Sequence, residues 1–212
     1  MDDEFALMQR VHRSLVKSRP SMDEGMCAVV QEIEAELGRE PWSGLRDVDW
    51  TGDDDMWLEW FNFLVRRHPM PPDTVTLWFE TPDVLLNPAV TSVSAYNIFD
   101  PSDDLFGLDA PRTWPIDEEG WTLEAGLCAM PEFDAALARM GWIARRRNPL
   151  KKLESLEPGL FALVHAYTLL LVVNNLPRSD VDLGDGLNIT MGFVDGDIDV
   201  IGRLTPAGWT RA

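Results

Sequence analysis

Cysteine and histidine are both scarce in this chain of 212 residues, and each scarcity closes off a class of chemistry. The two cysteines, Cys27 and Cys128, lie far apart and form no CxxC pair. A disulfide-stapled secreted scaffold, or a thiolate metal site, needs more of them at closer spacing. Both are therefore expected as buried thiols in a reducing compartment. The three histidines, His12, His68 and His165, fall in separate segments without an HxxxH or Cys–His pairing. That spacing predicts no metal site, and no other cofactor is expected. The sequence also lacks GxxxxGK[ST], GxGxxG and GxSxG, which removes the usual phosphate-cradling loops and the nucleophile elbow.

Positive charge is the next shortage. Lys and Arg number 18 against 36 Asp and Glu, for a formal net charge of −18. Nucleic-acid binding needs clustered cations to neutralise phosphates, and docking on an anionic membrane needs a basic face, so neither partner is expected. The basic cluster that does occur comprises Arg139, Arg145, Arg146, Arg147, Lys151 and Lys152. The opening Met1-Asp2-Asp3-Glu4 has no apolar core of a signal peptide, and no apolar run reaches the roughly 20 residues of a membrane span. A cytoplasmic location follows as the expectation.

What is present is an ordinary globular composition, 45% hydrophobic and 25% charged, with nine tryptophans. The stretch Pro158 to Leu176 is apolar on every face, which predicts a buried core helix rather than an amphipathic surface one. Phe5, Met8, Val11 or His12, and Leu15 fall on one face of a helix over residues 2–18. Ser21-Met22-Asp23-Glu24 reads as a capping box opening a second helix, which closes at Gly38; together the two predict an N-terminal helical hairpin. Asp53-Asp54-Asp55 opens a third helix ending near Arg67, and Pro131-Glu132 opens a fourth. Period-two alternation predicts strands around residues 74–79 and 90–97, and Asp195-Gly196 between apolar runs predicts a C-terminal hairpin. Residues 121–130 fit a strand or a helix equally. Helices first and strands with hairpins later indicate an α+β fold built on an antiparallel sheet. The expected organisation is one domain over 1–212, mainly helical in 1–68 and mixed in 73–212.

Three groupings bear on function. His165 lies in the apolar helix, where a hydrogen-bonded core histidine and a catalytic one with a shifted pKa are both conceivable. Asp195, Asp197 and Asp199 share the opening spacing of a calcium loop, but Val200 stands where glycine is needed. The acids are concentrated: residues 21–60 sum to −10, with twelve acidic and two basic side chains. Trp42, Trp50 and Trp114 stand in loops near Asp47, Asp49, Asp53, Asp54, Asp55, Asp103, Asp104, Asp117, Glu118 and Glu119. Loop tryptophans interleaved with carboxylates suit recognition of a basic protein, the rings anchoring and the acids steering.

The ending Ile189-Thr190-Met191-Gly192-Phe193-Val194-Asp195-Gly196-Asp197-Ile198 resembles the terminal hairpin of small acidic bacterial proteins of the polymorphic-toxin immunity type. The likeness covers about ten residues. It implies a cytosolic protein whose acidic face covers a toxin, and it carries over no catalytic residue. The expectation is thus a non-catalytic, immunity-like interaction module that neutralises a basic partner. The rival readings are a small hydrolase with a carboxylate- or His165-centred pocket and a small-molecule-binding domain. The sequence sets no oligomeric state.

Overall fold

A computed structural model describes residues 5–81, 89–100, 111–116, 127–140, 156–193 and 199–210; among them are five α-helices and a six-stranded mixed sheet, an α+β fold. In chain order the helices are α1 (Ala6–Ser18), α2 (Met22–Leu37), α3 (Asp54–Arg67), α4 (Pro131–Arg139) and α5 (Glu157–Asn175). The strands are β1 (Thr76–Thr81), β2 (Val90–Tyr96), β3 (Leu127–Ala129), β4 (Leu187–Phe193), β5 (Asp199–Thr205) and β6 (Gly208–Thr210). The described residues fall into two compact units. One takes in Met1–Asp55, Val84–Ala89 and Met130–Asn174, the other Met56–Asp83, Val90–Ala129 and Asn175–Ala212.

The first unit is helical. α1 buries Leu7, Met8, Val11, His12 and Leu15. Met8, Val11, His12 and Leu15 follow the expected spacing, whereas Leu7 is buried in addition and Phe5, just before the helix, is exposed. Arg19 ends α1 in the left-handed region at φ 45°. The Glu24 carboxylate accepts hydrogen bonds from the Ser21 backbone N–H (3.3 Å) and hydroxyl (2.8 Å), closing the expected capping box at the start of α2. Arg10 pairs with Glu32 and Glu36, tying α1 to α2 as an antiparallel hairpin. α5 is buried at every residue from Ala162 to Val173, so no side of it is left to solvent. Contrary to the expectation from run length, the helical segment Glu157–Arg178 is long and apolar enough to cross a membrane, because a span tolerates the few polar residues that break up a strictly apolar run. Of its apolar window, 89% is buried within the fold. At its start Gly159 leaves room for Trp42: a Cβ there would lie 2.5 Å from the indole Cζ2. Phe133 of α4 stacks on Tyr167 of α5 with centroids 4.2 Å apart.

The second unit carries the sheet, in the order β3-β2-β1-β4-β5-β6. Its neighbours are antiparallel except β1 and β4, which run parallel with Phe79 opposite Met191. A sheet antiparallel throughout was the expectation, and the parallel pair corrects it. Hairpin signals report only strands adjacent in sequence, whereas parallel partners need a long crossover, and here the two strands are separated by more than a hundred residues of chain. β1 and β4 are buried on both faces, Trp78 and Thr190 included, so the Thr–apolar alternation that marked β1 does not mark a wet face. Trp57 and Phe61 of α3 stack on each other at 5.3 Å and meet Phe79 of β1 at 5.8 and 6.0 Å.

The C-terminal hairpin forms as β4 and β5, with Ile201 bulged out of register; its Asp195-Gly196 turn lies outside the described residues. β6 adds a short edge strand that was not expected. Of residues 121–130, Leu127–Ala129 are strand and 121–126 lie outside the described residues. Cys128 is buried as expected, but Cys27 is exposed, because α2 turns its apolar stripe of Met26, Val29, Val30 and Ile33 away from that position.

Candidate functional site

The segment Pro41–Asp55 joins α2 to α3 and holds seven of the residues singled out for partner binding. The side chains divide sharply by depth. Trp42, in a 3₁₀ turn over Trp42–Leu45, is fully buried against Gly159. Trp50 is also buried; its ring meets Tyr167 with centroids 6.0 Å apart, and its backbone N–H donates to Asp23 Oδ1 at 3.2 Å. Trp114, in the second unit, is 3% exposed, donates its indole N–H to the His68 carbonyl and bridges Ala95 through the backbone. None of the three is a surface anchor. The expected aromatic patch is therefore withdrawn: non-periodic loop sequence gives no sign of which face a side chain takes, and a tryptophan gains far more by burial than by exposure.

Asp53 is a second correction. Its carboxylate is fully buried and accepts three hydrogen bonds, from the backbone N–H groups of Glu132 (3.1 Å) and Phe133 (3.0 Å) and from the Tyr167 hydroxyl (2.8 Å). α4 begins after Met130, which has no side chain able to cap it, so Asp53 supplies the missing acceptor from far away in sequence. Negative charge at that helix N-terminus is also favoured by the helix dipole. Burial first, and then the Asp53 charge, push the Tyr167 hydroxyl far above its usual range, so it stays protonated and donates. Asp53 is an organiser of the interior rather than part of a docking face.

Asp47, Asp49 and Asp55 are exposed and Asp54 is half-buried, so these four do lie at the surface. Asp49 accepts from the Thr51 hydroxyl (2.7 Å) and backbone N–H (3.1 Å), which hold its carboxyl below the usual range and keep it charged. Next to Asp47, Arg46 is committed to Glu34, with Nε donating to Oε1 at 2.9 Å. That contact likewise lowers the Glu34 pKa. Asp103, Asp104, Asp117, Glu118 and Glu119 lie outside the described residues, as do Arg145, Arg146, Arg147, Lys151 and Lys152 of the basic cluster.

The chain's spacing did not pair His12 with His165, yet the fold brings them together: His12 Nδ1 lies 2.9 Å from His165 Nε2, with the rings 59° apart. One proton sits on the line between the two nitrogens. His165 is fully buried, and burial, reinforced by the neighbouring His12, pushes its pKa well below the ordinary value, so it is neutral. The signal for this pairing was in the sequence: His12 fell on the buried stripe of α1, and a buried imidazole needs a partner. With no exposed surface, His165 is placed as a core histidine rather than as a base facing a substrate. Searches among protein-family models, curated proteins and solved structures find no match to this chain.

Proposed function

We propose that the protein is a non-catalytic interaction module of the cytoplasm that docks a basic protein partner through the carboxylates of the Pro41–Asp55 segment. An immunity-like role, covering the active face of a basic toxin, is the specific form we favour. The observation that carries the reading is the division by depth within one segment. Trp42, Trp50 and Asp53 are buried and hydrogen-bonded or packed in the interior, while Asp47, Asp49 and Asp55 stand exposed on the same stretch of backbone. A surface rooted in this way loses little conformational freedom on binding. Net charge of −18 supplies the long-range attraction that speeds encounter with a positive partner.

The test is affinity capture from the host cell lysate at low ionic strength, run in parallel with the wild type and with Asp47→Lys/Asp49→Lys/Asp55→Lys. The expected result is a basic protein retained by the wild type and lost both from the variant and when salt is raised. An identical set of captured proteins for the two baits would overturn the reading.

A further inference from the structure

The second unit contains a half-open cavity of about 570 Å³ between the end of α3 and the loop that leads into β4. Its volume is within the range of small-molecule sites. One wall is apolar: Val65, Pro69, Met70, Pro71, Val75 and Leu187. The turn Asp182–Gly186, with Arg203 of β5 lying against it, also lines the cavity. The turn is built for this arrangement. Gly184 N–H donates to Asp182 Oδ1 at 3.0 Å, and Gly186 sits at φ +113° where a Cβ would come within 2.9 Å of Arg203 Nε. Any other residue at 186 would be strained and would displace the guanidinium.

Three of the charges in this lining form no ion pair among the described residues. Arg66 is neutralised by Asp180, whose own backbone N–H donates to Asn62 Oδ1 at 2.7 Å. Arg203, by contrast, donates from Nη2 to the Asp185 backbone carbonyl at 3.1 Å, and among the described residues it pairs with no carboxylate. Asp182 and Asp185 are exposed and likewise take part in no ion pair among the described residues. A guanidinium residue, two aspartates and a set of apolar side chains therefore line one cavity, and among the described residues Arg203 forms no ion pair with either aspartate.

We infer that this cavity binds a free α-amino acid with a large apolar side chain. The ligand carboxylate is received by Arg203, its ammonium by Asp182 and Asp185, and its side chain lies against Met70 and the prolines. A guanidinium is suited to a carboxylate through paired, charge-assisted hydrogen bonds, and a thioether to an aromatic ring. An amine alone would meet Arg203 uncompensated, and an acid alone would meet the two aspartates. Discrimination against either half-ligand follows from the repulsive group as much as from the attractive one.

The experiment is isothermal titration of the full chain with three probes: L-phenylalanine, 2-phenylethylamine, which lacks the carboxylate, and 3-phenylpropionate, which lacks the amine. The expected result is saturable binding of L-phenylalanine with a Kd of about 1 mM or tighter, and each half-ligand weaker by about tenfold or more. Arg203→Met and the surface pair Asp182→Asn/Asp185→Asn are each expected to weaken L-phenylalanine by about tenfold or more. Circular dichroism confirms that the variants are folded. Should Arg203→Met fail to fold, the aspartate pair, which lies on an exposed turn, still decides the matter. No saturable binding of L-phenylalanine up to about 10 mM, half-ligands that bind as well as the amino acid, or a folded variant with wild-type affinity would each overturn the proposal.

Discussion

Replacing Asp53 by alanine is expected to destabilise the protein by about 3–5 kcal/mol, because it strands two buried donors and a third, part-buried one at once. The Glu132 and Phe133 N–H groups lose the acceptor that caps α4, and the Tyr167 hydroxyl loses its partner in the core. An unsatisfied buried donor costs about 1–3 kcal/mol, and partial relaxation of the cavity keeps the sum below three full penalties. Against the roughly 5–15 kcal/mol by which domains are stable, this is a large fraction. Tyr167→Phe removes one donor but leaves the carboxylate with two, so about 1 kcal/mol is expected. The double variant should cost less than the sum of the singles, since both remove the same 2.8 Å bond. Urea unfolding followed by circular dichroism and tryptophan emission measures these values. Amide hydrogen exchange at Glu132 and Phe133 locates the effect, with faster exchange expected there first. A change within about 0.5 kcal/mol, the range of an inconsequential surface substitution, together with unaltered exchange at both amides, would refute the placement of Asp53.

Further outcomes follow from other contacts. Gly159→Ala forces a methyl against the rigid Trp42 ring and is expected to cost about 1–3 kcal/mol by overpacking; a midpoint of unfolding equal to wild type would count against that contact. His165 has a depressed pKa in the folded state, so below the ordinary histidine value of about 6.5 the unfolded chain binds a proton that the native one does not. Stability should therefore fall as pH drops below about 6.5, by up to about 1.4 kcal/mol per unit from this group. His165→Gln should lack that component in a comparison of unfolding curves at pH 7.5 and 5.5, and parallel curves for the two proteins would contradict it. Trp42→Phe should leave partner capture intact while lowering the midpoint of unfolding, since the ring belongs to the core; loss of capture in a fully folded variant would restore the tryptophan to the interface.

How much of this was legible in the sequence depended on how far apart the interacting residues are. The Ser21–Glu24 box, the stripe of α2 and the all-round apolar run of α5 are decided within a few turns of chain, and each forms where its spacing places it. The β4–β5 pairing is nearly as local. The α+β class follows from those elements together. The acceptor role of Asp53 was hidden because its donors lie about 80 and 114 residues away, and from sequence Asp53 is one of three identical acids at a helix start. Trp42 and Trp50 lie in irregular backbone, where no periodicity marks an inward face. The cavity near Arg203 combines residues 65–75, 180–187 and 203, each of them unremarkable in its own stretch. Depth, rather than residue type, separates the acid that organises the core, Asp53, from those exposed at the surface, Asp47, Asp49 and Asp55.

The most direct test of acidic docking is the association rate of the captured partner as a function of ionic strength. Wild type and Asp47→Asn/Asp49→Asn/Asp55→Asn would be compared by surface-immobilised kinetics. The expected result is a wild-type rate that falls steeply, by about tenfold or more, as the Debye length shrinks from roughly 30 to 8 Å, and a neutralised variant that is slower and far less sensitive to salt. Equal rates with the same shallow salt dependence for both proteins would contradict the account.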